Sequence, residues 1–109
     1  MLFRTNTFGT IRGDTFVREI KTNDYQLEKG DKFHIVVMRN AYEKNYLHEQ
    51  IIEIQEQTNK VNFEILPCET DKLPIGELLL EIELTTASGI VVTNQYTLVV
   101  KADGIYERN

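Results

Sequence analysis

The stretch from Val61 to Val100 constrains this chain more than any other. Val61-Asn62-Phe63-Glu64-Ile65 and Leu78-Leu79-Leu80-Glu81-Ile82-Glu83-Leu84 alternate apolar positions with polar or less buried ones. Leu66-Pro67, Leu73-Pro74-Ile75-Gly76 and Ala87-Ser88-Gly89 punctuate the run, which resumes from Ile90 to Val100. Successive side chains of a strand point to opposite faces. A period of two between turn residues therefore predicts successive antiparallel strands, each with one face on a core.

The first half continues the pattern. Residues 1–10 read as an extended lead-in or edge strand, and residues 102–109 as an extended tail. Gly9 and Gly13 bracket a turn before Thr15-Phe16-Val17-Arg18-Glu19-Ile20, a strand with Phe16 and Ile20 on one face. Thr22-Asn23-Asp24 reads as a turn, because Asn and Asp tolerate tight backbone geometry and bond their own main chain. Leu27-Glu28-Lys29-Gly30-Asp31 launches a strand from Lys32 to Met38, with Phe33, Ile35 and Val37 opposed by His34, Val36 and Met38. Both faces are apolar, which suits a central strand or one whose outer face meets a partner. Asn40 to Gln57 carries two signals. Tyr42, Tyr46, Leu47, Ile51 and Ile54 fall near helical spacing, whereas Ile52-Glu53-Ile54-Gln55 alternates. A loop followed by a strand from about Leu47 to Gln55 is the expectation, with a short helix as the alternative.

Turn signals recur roughly every 8–12 residues between seven or so short strands, a pattern that suits a two-sheet sandwich. The expected fold is all-β: a single immunoglobulin-like antiparallel β-sandwich spanning residues 1–109. The Cys…Trp…Cys hallmark of antibody domains is missing, since the chain has one Cys and no Trp. The likeness is one of architecture.

At 109 residues the chain suits one domain with one core. A formal net charge of −5, with Arg4, Arg12, Arg18, Lys29 and Lys32 scattered among acids, argues against a nucleic-acid backbone as partner. No apolar run approaches the ~20 residues that span a bilayer, so no membrane partner is expected. Met1-Leu2-Phe3-Arg4 lacks the long apolar core of a secretory signal. A lone cysteine, Cys68, forms no internal disulfide. Synthesis and folding in a cytoplasm is the expectation.

No constellation in the sequence carries recognisable chemistry. Arg12-Gly13-Asp14 spells an integrin-recognition tripeptide, but Gly followed by Asp is also simple turn chemistry. His34 and His48 have no neighbour at metal-ligand spacing and read as surface or half-buried imidazoles. Cys68 follows Pro67, with Glu69 and Asp71 nearby, and reads as inert. Carboxylates such as Glu49, Glu53, Glu64, Glu69 and Asp71 show no ordered calcium spacing. Glu81 and Glu83 share the face opposite Leu80 and Ile82, as on an exposed sheet face. No Gly-rich phosphate loop, G-x-S-x-G or H-E-x-x-H occurs. Neither a catalytic residue, a metal nor a cofactor is expected.

Several short segments, taken in order, resemble a family of small prophage proteins of Gram-positive bacteria. They are similar to the immunoglobulin-like N-terminal domain of phage baseplate upper proteins. The segments are Arg12-Gly13-Asp14-Thr15-Phe16, Leu27-Glu28-Lys29-Gly30-Asp31-Lys32-Phe33, Leu66 through Glu77 with Leu73-Pro74-Ile75-Gly76 at its end, and Leu80 through Gly89. Thr93 and Tyr96-Thr97-Leu98-Val99-Val100 close the series. The chain departs from the family pattern at Glu77-Leu78, where an aromatic is usual, and at Ser88, where Asp is usual. The resemblance implies a non-catalytic phage structural or assembly protein, tail or baseplate associated, whose partners are other virion subunits or copies of itself. The alternative is a generic binding module for carbohydrate or protein. Contacts are expected at strand edges, at the outward apolar face around Val36 and Met38, and at Tyr42, Tyr46 and Tyr106. The polar segment from Asp103 to Asn109 reads as a peptide able to dock on a partner.

Overall fold

A computed structural model of the protein describes residues 7–43 and 45–102. Seven strands run in order: β1 Thr7–Ile11, β2 Phe16–Lys21, β3 Lys32–Met38, β4 His48–Glu53, β5 Lys60–Ile65, β6 Gly76–Thr85 and β7 Val91–Lys101. One short helix, α1 Pro67–Thr70, separates β5 from β6. The alternation in the sequence becomes the alternation of faces. Phe33, Ile35 and Val37 on β3 and Leu78, Leu80 and Ile82 on β6 all enter the core. Across the sandwich they meet Phe16 of β2 and Phe63 and Ile65 of β5. Burial of these side chains is the main favourable term in folding, and the branched and aromatic residues that supply it also suit a pleated strand.

The two sheets are unequal. Five strands form one, in the order β1-β7-β6-β3-β4, and only β2 and β5 form the other. All pairings are antiparallel except β1 with β7, which is parallel from Thr7 opposite Thr97 to Ile11 opposite Lys101. The wholly antiparallel expectation thus fails at one edge. Positions 1–10 do supply an edge strand, as its sequence suggested, beginning at Thr7 among the described residues.

A second correction concerns the segment from Val61 onward. Successive strands there do not all pair: β5 joins β2, with Phe16 opposite Ile65, while β6 and β7 form a long hairpin in the other sheet. Alternation marks a half-buried strand without naming its neighbour. The switch is made by α1, which Pro67 starts because a fixed φ and a missing N–H suit the first helical turn. Segment 40–57 follows the favoured expectation, a loop and then a strand, without the alternative helix among its described residues.

Two buried polar side chains tie the loops to this frame. Thr70 Oγ1 donates to Asp14 O at 2.7 Å and accepts from Gly13 N–H at 3.1 Å, pinning the β1–β2 turn to α1. Gly13 adopts φ +90°, a region L-residues with a Cβ rarely adopt. The Arg12-Gly13-Asp14 tripeptide therefore has a structural explanation as a bonded turn. Asp31, fully buried, accepts from Glu28 N–H and Tyr25 O–H on Oδ2 and from Ala87 N–H on Oδ1. It joins the β2–β3 connection to the tip of the β6–β7 hairpin. Burial opposes its ionisation, but these donors outweigh that cost and hold its carboxyl below the usual range. The same bond pushes the Tyr25 hydroxyl pKa up.

Candidate functional site

The unequal sheets decide where the surface is open. Two strands cannot cover five, and the inner surface left open lies at the hairpin end of β6 and β7, since Leu98 and Val100 farther along β7 are fully buried. There a cleft of about 650 Å³ opens between β2 with the loop after it and the inward residues of β1, β6 and β7. Its floor is aromatic. Phe8 lies 5.1 Å from Tyr96 and 6.1 Å from Phe16, and Phe16 lies 6.0 Å from Phe63, all in tilted arrangements that aromatic rings favour. Leu84, Ile90 and Val92 continue the apolar wall, and Asn94 adds a polar group on the same face.

One charge stands in this apolar setting. Arg18 shares its strand face with Phe16 and Ile20, the face turned to the core. Its guanidinium lies 5.1 Å from the centre of the Phe8 ring and 4.6 Å from that of Phe16. Such stacking stabilises a guanidinium through the ring quadrupole while its stem packs on apolar surface. Its one hydrogen bond among the described residues goes to the adjacent Val17 O. No carboxylate forms an ion pair with it there.

The tip of the β6–β7 hairpin borders this cleft, with Thr86, Ile90 and Val92 among the lining residues. Ile90, Val91 and Val92 are 60%, 55% and 48% exposed in succession. Consecutive strand residues face opposite sides, so neither face of this stretch is covered. The hairpin tip itself is well determined. Gly89 takes φ +96°, and Thr86 accepts from Ile90 N–H through its hydroxyl while donating its own N–H to Ile90 O.

The residues expected to make contacts do not converge. Val36 and Met38 are only 3% and 5% exposed, so the outward apolar face is not available for docking. The reason is position: β3 lies between β4 and β6, Val36 stands between Glu49 and Glu81 at register, and Met38 opposes Leu79. Long neighbours on both flanks shield a short side chain in a central strand. Tyr42, in contrast, is 92% exposed in the β3–β4 loop. Tyr46 packs edge-on against His34, with 5.9 Å between ring centres, and His34 Nε2 hydrogen-bonds Glu49 across the outer face. Tyr106 lies outside the described residues.

The two histidines differ more than their sequence settings suggested. His34 is partly exposed on the outer face, as expected, but His48 is buried. Gln50 Nε2 donates both to His48 Nε2 at 2.8 Å and to Glu64 O at 3.0 Å. The second bond fixes the amide orientation, so His48 Nε2 is the acceptor and its proton sits on Nδ1. That atom lies 3.4 Å from Glu69 Oε1, close but out of line for a hydrogen bond. Lys72 is the main partner of Glu69, donating to it at 3.1 Å and holding its carboxyl pKa low, with His48 contributing less. Cys68 is a free, exposed thiol. Among the described residues no three His, Cys, Asp or Glu side chains gather as a metal site would require.

The cleft residues were missed in the sequence. A signal was present: Arg18 and Asn94 occupy inward parity in strands whose other inward residues are largely apolar. Polar groups on a buried face carry more information than exposed apolar ones. No protein-family model matches the chain, and no curated protein matches it either.

Proposed function

We propose that the protein is a non-catalytic structural or assembly module that works through protein–protein contacts, and that it serves in a phage particle at the tail or baseplate. The observation that carries the contact role is the β6–β7 hairpin tip, where Ile90, Val91 and Val92 offer adjoining apolar surface to solvent. Exposed apolar patches of this sort mark interaction surfaces more often than isolated apolar residues do. The β6–β7 register gives the tip a rigid base, with Thr85 opposite Val91 and Leu84 opposite Val92. The phage assignment rests on the order of turn motifs that resemble baseplate upper proteins. The strand order, with β1 running parallel to β7 and β2 paired with β5, is compatible with an immunoglobulin-like arrangement. The buried pair Val36 and Met38 plays no part in this surface, and Tyr42, on the loop after Met38, lies at the opposite end of β3 from the tip, since Lys32 opposes Thr85 and Met38 opposes Leu79.

Gene neighbourhood and particle size test the proposal together. Tail, capsid or holin genes beside the coding sequence, and a symmetric oligomer by size-exclusion chromatography with light scattering, are the expected results. Metabolic neighbours together with a strict monomer would overturn it.

A further inference from the structure

The cleft invites a different occupant from the hairpin tip, although Ile90 and Val92 border both. Its size falls within the range of small-molecule sites, which are mostly apolar with a few convergent polar groups. Here the apolar part is the floor of Phe8, Phe63 and Tyr96 with the wall of Leu84 and Val92. The polar groups by that floor include Arg18, the only guanidinium among the described residues that line the cleft, and Asn94. Arg18 is prearranged by its stacking on Phe8 and Phe16, yet among the described residues its donors meet only a neighbouring main-chain oxygen. A planar guanidinium has five N–H donors in a fixed fork that matches a carboxylate. Among the described residues, one bond to Val17 O leaves most of that capacity free. Glu19, Lys21 and Asp24 line the same opening, and none of them pairs with Arg18.

We infer that this cleft binds a small amphipathic carboxylic acid, its apolar body on the Phe8–Tyr96 floor and its carboxylate on the Arg18 guanidinium. A neutral apolar molecule would fill the floor without engaging Arg18, and a small anion would engage Arg18 without filling the floor. The combination gives both affinity and orientation: apolar contact supplies most of the first, the charge-assisted bidentate bond the second.

Decanoate is a direct probe. Titration into the full-length protein, followed by amide NMR shifts, is expected to give saturable changes at Phe8, Asn94 and Tyr96. Decanol should bind at least tenfold more weakly and acetate not measurably, because a hydrogen bond to a charged group corresponds to about a tenfold or larger change in affinity. Arg18→Gln should bring decanoate down to the decanol level. Val92→Glu, on the cleft wall at a position whose substitution spares the buried core, should weaken both ligands, decanoate by the larger factor because like charge adds to the lost apolar contact. Failure of decanoate to bind the folded wild type, saturable shifts elsewhere than the cleft, or equal binding of decanoate and decanol would each overturn the inference. The wild-type and Arg18→Gln titrations do not bear on whether the hairpin tip makes particle contacts.

Discussion

Asp31 makes the most quantitative prediction. In Asp31→Asn the side chain keeps its shape, but one acceptor oxygen becomes a donor. The better rotamer keeps the amide oxygen facing Glu28 N–H and Tyr25 O–H, and turns the NH₂ against Ala87 N–H, 2.9 Å from Oδ1 in the wild type. One charge-assisted bond is lost, two donors face each other, and the remaining bonds become neutral. The cost is about 2–3 kcal/mol. Asp31→Ala strands both backbone donors and leaves a void, so about 3–5 kcal/mol is expected. Against a total stability of roughly 5–15 kcal/mol for a domain, either loss is easily measured. The pH dependence gives an independent check. The folded carboxyl titrates below the ordinary aspartate value of 3.8, so its stabilisation is complete above that value and fades as pH falls through the folded pKa. The stability gap between wild type and Asp31→Asn should thus be full at neutral pH and shrink in acid. Urea unfolding followed by circular dichroism from about pH 7 to about pH 2.5 measures it. An Asp31→Asn variant as stable as wild type at neutral pH, or a gap that stays constant or widens in acid, refutes the reasoning.

Other outcomes follow from single contacts. Thr70→Val removes the hydroxyl shared by Gly13 N–H and Asp14 O and should cost about 1–3 kcal/mol in urea unfolding, with Thr70→Ser largely spared. Gly30 has φ +99°, and an added Cβ would meet Ala87 Cβ at 3.3 Å, so Gly30→Ala should destabilise by at least about 1 kcal/mol. Gly9→Ala, with no atom within 4 Å of the new Cβ and no positive φ, should be neutral or stabilise by up to about 1 kcal/mol. For His48, ring ¹⁵N shifts at neutral pH should report the Nδ1–H tautomer; an Nε2–H pattern would contradict the Gln50 bond.

The sequence was readable where one periodicity decided the matter. Phe33, Ile35 and Val37 alternate with His34, and the strand lies where that alternation put it. Leu80 and Ile82 face inward and Glu81 and Glu83 outward for the same reason. What could not be read was pairing across the fold. Nothing in Val61–Ile65 says that it joins β2 instead of β6, because a period of two is the same whichever strand lies beside it. Val36 and Met38 were misread for a related reason: whether an outward residue is exposed depends on the neighbours that flank it, and those come from β4 and β6. Asp31 looked like turn grammar, and only its long-range bond to Ala87 shows its structural role. Arg18 was legible in principle, since an arginine between Phe16 and Ile20 on an inward face requires a partner or an opening. The opening comes from two strands facing five, which no local pattern encodes.

The central claim is that this sandwich is a contact module of a phage particle. Mass spectrometry of particles purified after induction of the bacterium that encodes the chain tests it most directly. The account predicts the protein in the particles at a copy number matching a symmetric assembly, and its loss from them when Ile90, Val91 and Val92 are replaced by serine in a protein that still folds. Particles that contain none of it, or that retain the triple variant at the wild-type copy number, would contradict the account.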